Sequence, residues 1–81
     1  MKAKITVTLK TGILDPQGRA IQGALESLDG RDVKNVRVGK LIEIELEERD
    51  REAAMAKLKL MCDKLLANPV TENYNIEIVS A

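Results

Sequence analysis

The sequence contains no histidine, tryptophan or phenylalanine, and only one tyrosine and one cysteine in 81 residues. Without histidine it has no ordinary general base near neutral pH and no Ser-His-Asp or Cys-His pairing. The lone thiol, Cys62, cannot close an internal disulfide, and no second Cys or His stands ready to share a zinc ion. With so few aromatics the core must come from Val, Ile, Leu, Met and Ala, and the stacking platforms of RNA-binding sheets are missing. Charge of one sign is missing too: 13 basic and 13 acidic residues cancel, which argues against a generic binder of nucleic acid or anionic membrane. No apolar run approaches the ~18 residues of a membrane helix, and the opening MKAKITVTLK alternates charged and apolar residues. Neither GxxxxGK[ST] nor GxGxxG occurs. These absences lead to the expectation of a soluble, cytoplasmic protein that binds neither nucleic acid nor membrane and carries no metal, with little in its residues to support catalysis.

What is present reads as a small α+β unit, with residues 1–81 expected to form one domain. A chain this short buries little more than ~60% of its unfolded surface, so a partner would help it. Ile5, Val7 and Leu9 alternate with Lys4, Thr6, Thr8 and Lys10, the period-two pattern of a half-buried strand. A helix follows, with Ile21, Ala24, Leu25 and Leu28 on one stripe for packing on a sheet and Gly30 as a left-handed stop. Its start is written in Asp15, which can cap it, and Pro16, whose fixed φ suits the first helical position. Gly18 and Gly23 each cost roughly 0.5–1 kcal/mol against Ala inside a helix. Tight packing against another element or subunit explains them best; an anionic ligand at the helix start is the sharper alternative.

The segment VKNVRVGKLIEIELEE, residues 33–48, is the most informative. Val36, Val38, Ile42, Ile44 and Leu46 share one phase, interrupted only by Lys40, while Asn35, Arg37, Gly39, Glu43, Glu45 and Glu47 take the other. A two-residue turn at Gly39-Lys40 would set Val36 opposite Glu43 and put glutamates on the apolar face. Either a hairpin with an odd-numbered loop or one long strand bent at Gly39 keeps the phase. A strand over about 34–47 would span roughly 45 Å, more than so small a domain is wide, so its far half would pair with another chain. A dimer with a shared sheet is the expectation. The glutamates of this segment, with Glu48, read as a hydrated strand face and loop entry.

A second helix begins near Asp50, its N-cap, and places Ala54, Leu58, Met61, Cys62 and Leu65 on one stripe before Asn68-Pro69 ends it through a left-handed cap or an extended pre-proline conformation. On that stripe Cys62 reads as a buried, inert thiol. A last strand over 74–79 alternates Tyr74, Ile76 and Ile78 with Asn75 and Glu77, leaving Tyr74 half-buried at the rim of the sheet. With the long segment counted as two strands, the order is the βαββαβ of a ferredoxin-like two-layer sandwich: an antiparallel sheet, two helices on one face, and a long bent middle strand shared across a dimer.

Three blocks carry a resemblance: VTLKTGILDPQGRAIQGAL (7–25), VKNVRVGKLIEIEL (33–46) and MCDKLLANPVTENYNIEI (61–78). Nearly end to end, the chain resembles the PurS family, small subunits of phosphoribosylformylglycinamidine (FGAM) synthase. Its sharpest matches are Leu14 to Gly18, Val36 to Lys40 and Leu65 to Val70; Thr11 stands where the family pattern suggests proline, and Thr71 to Tyr74 replaces a more acidic run. The resemblance implies a non-catalytic subunit, a homodimer or dimer of dimers, that bridges a glutaminase, PurQ, to a synthetase, PurL. The synthetase would use ATP and magnesium, and this chain would bind no cofactor itself. It further implies a docking surface, or one shaping an ammonia route, that includes Lys10, Gly12, Asp15, Gln17, Gly18, Arg37, Gly39 and Lys40, with Gly18 baring the helix start to another chain's backbone. Pro16, Gly30, Asn68 and Pro69 are the turn and cap residues. The alternative from another class is a ligand-binding regulatory module of ACT type. An acylphosphatase-like enzyme would need an arginine in the first loop, and LKTGILD has none.

Overall fold

The computed structural model describes residues 1–28 and 31–80. Strand β1, Lys2–Leu9, is followed by helix α1, Pro16–Ser27, strand β2, Lys40–Glu45, helix α2, Arg51–Met61, a π-helical turn at Cys62–Leu66, and strand β3, Glu72–Ser80. The three strands form an antiparallel sheet in the order β2-β1-β3. β1 takes the centre because its alternation is the cleanest: Ala3, Ile5 and Val7 are buried on one face. Across the sheet Ala3 faces Ile44 and Ile78, Ile5 faces Ile42 and Ile76, and Val7 faces Lys40 on β2 and Tyr74 on β3. On the other face Lys4 lies opposite Glu43 and Glu77, and Lys2 forms an ion pair with Glu43 at 2.9 Å. That face is water's.

α2 covers the apolar face. Asp50 caps it by accepting from the Ala53 amide at 3.0 Å; Ala54, Leu58 and Cys62 are fully buried, Leu58 and Cys62 in one cluster with Ala3, Ile5 and Val7 of β1. The stripe then departs from the expectation. Leu65, assigned to the core side, is 83% exposed, and Leu66 and Ala67 pack on the core instead. The cause is the π turn, in which the Ala67 amide donates to the Cys62 carbonyl five residues back at 3.1 Å. One extra residue in the turn rotates everything after it by one position. Ala67 is extended (φ −130°, ψ 143°), so the helix stops before Asn68, whose side chain accepts from the Val70 amide at 2.9 Å and folds Pro69 into a turn.

The long segment forms neither a hairpin nor a single long strand within the chain: only Lys40–Glu45 is strand, and residues 33–39 precede it without regular structure. Among the described residues β2 pairs only with β1 and residues 33–39 pair with no strand, so no hairpin forms at Gly39. Half-buried Val36, Val38, Ile42, Ile44 and Leu46 keep one phase across the bend, with exposed Arg37, Gly39, Glu43 and Glu45 between them. In chain order residues 33–39 occupy the second-strand place of the ferredoxin-like sandwich without filling it from within the chain. At Gly39 a Cβ would lie 2.7 Å from the Val7 carbonyl oxygen, so a side chain is barred by close backbone approach.

α1 corrects a further expectation. Its stripe is not covered by the sheet: Ile21 is 39%, Leu25 37% and Leu28 79% exposed, and only Gly18 is buried. Its first turn packs on residues 36–38, through Gly18 against the Val36 carbonyl and Asp15 on the Val38 amide, and the stripe beyond it is left partly open. The expected stop at Gly30 lies outside the described residues. The radius of gyration is 16.1 Å, with extents of 48 × 26 × 14 Å, where a compact chain of this length would give about 12 Å. The protomer is elongated.

Candidate functional site

The site is assembled where the β1–α1 loop meets residues 36–40. Gly12 turns the loop at φ 88°, and the Ile13 amide donates to the Lys10 carbonyl at 3.1 Å, a reverse turn with glycine where a positive φ is required. The Lys10 amide donates to the Thr71 carbonyl at 2.8 Å and pins the turn beside β3.

Asp15 is the hub. It is 6% exposed, and its two carboxylate oxygens serve different partners. Oδ1 accepts from the Gly18 amide at 2.9 Å, capping α1, while Oδ2 accepts from the Val38 amide at 2.7 Å, 23 positions along the chain. These two amides, Val38 first, with the nearby Arg37 charge, hold the carboxyl below its ordinary value. Arg37 completes the join: Nη1 donates to the Ile13 carbonyl at 2.9 Å and Nη2 to the Lys10 carbonyl at 3.2 Å. Gly18 is needed because a Cβ there would meet the Val36 carbonyl oxygen and lie 2.8 Å from Asp15 Oδ2. The close approach expected from another chain is therefore made by this one.

Of the residues singled out by sequence, Lys10, Gly12, Asp15, Gly18 and Arg37 are brought into one bonded cluster. Gln17 and Lys40 are exposed beside it and line a shallow concavity of about 240 Å³ with Asp15, Val38, Gly39 and Glu72. Pro16 stands at the first helical position, and Asn68 and Pro69 lie in the turn before β3. Sequence reasoning missed the main-chain partners, the carbonyls of Lys10 and Ile13 and the amide of Val38, because a backbone atom carries no residue-type signal.

Reactive groups are few. Cys62 is fully buried, and burial, with Asp63 beside it, pushes its thiol up. Tyr74 donates its hydroxyl to Asp63 at 2.9 Å, a bond that raises the phenol and ties β3 to the π turn. Among the described residues no group of three or more His, Cys, Asp or Glu side chains could hold a metal ion. No helix among them is long and apolar enough to cross a membrane. The arrangement binds and positions backbone.

Comparison with known proteins gives a consistent result. The sequence profile of PurS, described as phosphoribosylformylglycinamidine (FGAM) synthase, matches residues 2–80. The PurS subunit of Bacillus subtilis is 47% identical over 77 residues, covering 95% of this chain and 90% of its own, and that of Methanocaldococcus jannaschii is 43% identical, covering 95% and 93%. A crystal structure of Bacillus subtilis PurS superimposes with a TM-score of 0.84 at 46% identity over 98% of both chains. A chain of the structure of PurLQS from Thermotoga maritima gives a TM-score of 0.85 at 37% identity, covering 94% of this chain and 93% of that one. Family profile, sequence relatives and solved structures thus agree over nearly the whole chain, and the chain belongs to the PurS family of FGAM synthase subunits.

Proposed function

We propose that this chain, acting as one domain over residues 1–81, is the small non-catalytic subunit of FGAM synthase in purine biosynthesis. It joins a PurL synthetase to a PurQ glutaminase in the cytoplasm. The observation that carries the reading is its likeness to a chain of the PurLQS structure. Chemistry is divided among the partners: the glutaminase releases ammonia from glutamine, and the synthetase uses ATP and magnesium to convert formylglycinamide ribonucleotide to the amidine. This subunit supplies the geometry.

A homodimer, or a pair of dimers, is the working form. An elongated protomer with an uncovered apolar stripe on α1 and an unpaired extension at residues 33–39 supports self-association. Exposed Gln17 and Lys40 are the side chains offered to the larger subunits, while Lys10, Gly12, Asp15, Gly18, Arg37 and Gly39 shape the surface beneath them. The family match removes the support for a regulatory module of ACT type.

Reconstitution tests the reading. Purified PurL and PurQ from the same source are assayed for amidine formation with glutamine or with ammonium, with and without this chain. Glutamine-dependent activity that needs the chain, beside ammonium-dependent activity that does not, is the expected result. Indifference of both activities, with no complex formed, sinks the proposal.

A further inference from the structure

Residues 33–39 leave β2 at Gly39 and run along the β1–α1 loop without pairing to any strand of the chain. An unpaired extension of this kind is ordinarily loose, since its main-chain donors and acceptors are left to water. This one is held at three points. Arg37 is bonded to the carbonyls of Lys10 and Ile13, the Val38 amide to Asp15, and the Val36 carbonyl lies against Gly18. All the groups that hold it belong to the loop and to the first turn of α1, none to the hydrophobic core formed by β1, α2 and the flanking strands. The fold of the sheet therefore does not require the latch.

The held segment stays in register with β2. Val36 and Val38 are half-buried in phase with Ile42 and Ile44, so the alternation of burial in β2 continues into the arm although residues 33–39 form no strand in the single chain. β2 is itself an edge strand, paired with β1 on one side only. A second copy of the chain offers the same arm and the same edge, the self-complementary arrangement a two-fold interface needs.

We propose that Asp15 and Arg37 are positioning residues for self-association: by binding the backbone on both sides of the loop they preset residues 33–39 as the strand with which one copy extends the sheet of another. The inference rests on the reading that the chain shares a sheet across a dimer. Its physical basis is preorganisation: an arm already fixed in one direction does not have to be ordered when the partner arrives. Both groups suit the task. A buried carboxylate accepts two amides at once, and a guanidinium spans two carbonyls in fixed geometry.

The test uses the full chain and two variants. Asp15→Ser keeps an acceptor for the Gly18 amide, and so the helix cap, but is too short to reach Val38 as well. Arg37→Gln removes the fork at an exposed position. Sedimentation gives the dissociation constant of the dimer, and amide exchange reports Val38 separately from Ile5 and Ile76 in the sheet. Each variant should weaken dimerisation about tenfold or more and should expose the Val38 amide, with sheet protection unchanged; Arg37→Lys, which can still serve one carbonyl, should fall between. Dimerisation of wild-type strength in both variants overturns the latch and leaves sheet sharing standing. A wild-type chain that stays monomeric overturns both. Should Asp15→Ser disturb the sheet itself, Arg37→Gln alone decides, because the hydrogen bonds it removes go to loop carbonyls and not to the sheet.

Discussion

Asp15 Oδ2 lies 2.7 Å from the Val38 amide while Oδ1 of the same carboxylate lies 2.9 Å from the Gly18 amide, so a single side chain joins a helix start to a segment 23 residues downstream. Its acid behaviour follows. The carboxyl is held below its ordinary value by those amides and by Arg37, so the folded state releases its proton more readily than the unfolded chain does. The stabilisation is complete above the unfolded value, about 4, and is lost as pH falls through the lower folded value. Protection of the Val38 amide, corrected for intrinsic exchange, should hold constant from about pH 8 to pH 5 and collapse only below about pH 4. A loss of protection centred above pH 5 would contradict this account.

The two glycines of α1 should answer a methyl group in opposite ways. At Gly18 a Cβ would meet the Val36 carbonyl and the Asp15 carboxylate. Gly18→Ala should therefore lower stability, by about 1–3 kcal/mol despite alanine's better helix propensity. At Gly23 nothing lies within 4 Å. Gly23→Ala should raise stability by roughly 0.5–1 kcal/mol. Denaturant melts of the pair read both signs, and a loss at Gly23 in the dimer alone would place another chain's backbone there.

Thr11 sits at the second position of the Lys10–Ile13 turn, before Gly12 at φ 88°. A turn with positive φ at its third residue favours proline at its second. Thr11→Pro should add about 0.4–1 kcal/mol by narrowing the unfolded ensemble. Thermal unfolding checks it; a lower melting temperature would mean the Thr11 amide or its φ is committed otherwise.

The π turn yields a contrast between neighbours. Leu65→Ala, at a site 83% exposed, should change stability by no more than about 0.5 kcal/mol. Leu66→Ala, packed against the core, should cost about 1–2 kcal/mol. The reverse order would restore the α-helical phase.

Much of this was legible in the sequence, and the gaps have physical causes. Strict alternation marked Ala3 to Leu9 and Tyr74 to Ile78, because a strand with one wet face must alternate. Asp15-Pro16 and Asp50 announced their helices, because an N-cap is a local hydrogen bond. The phase carried across Gly39 ruled out the tight hairpin before any coordinates did. Leu65 was misassigned because a helix that widens by one residue leaves no mark in residue spacing. Gly18 was understood in kind but not in partner: its neighbour, the Val36 carbonyl, lies 18 residues away and is backbone. Asp15 was read as a cap, which is half of its role, since its second bond depends on a fold that brings Val38 to it. The same holds for Arg37, whose acceptors are two carbonyls of a loop that the sequence marks only by a glycine.

α1 is 12 residues long, and an isolated helix of that length has little hold in water. With Ile21, Leu25 and Leu28 uncovered in the single chain, its order is borrowed from whatever covers them. Supply and integrity are then linked. At low concentration the first peptide bonds to open to a protease should lie in residues 16–27, on the same surface that assembly would secure.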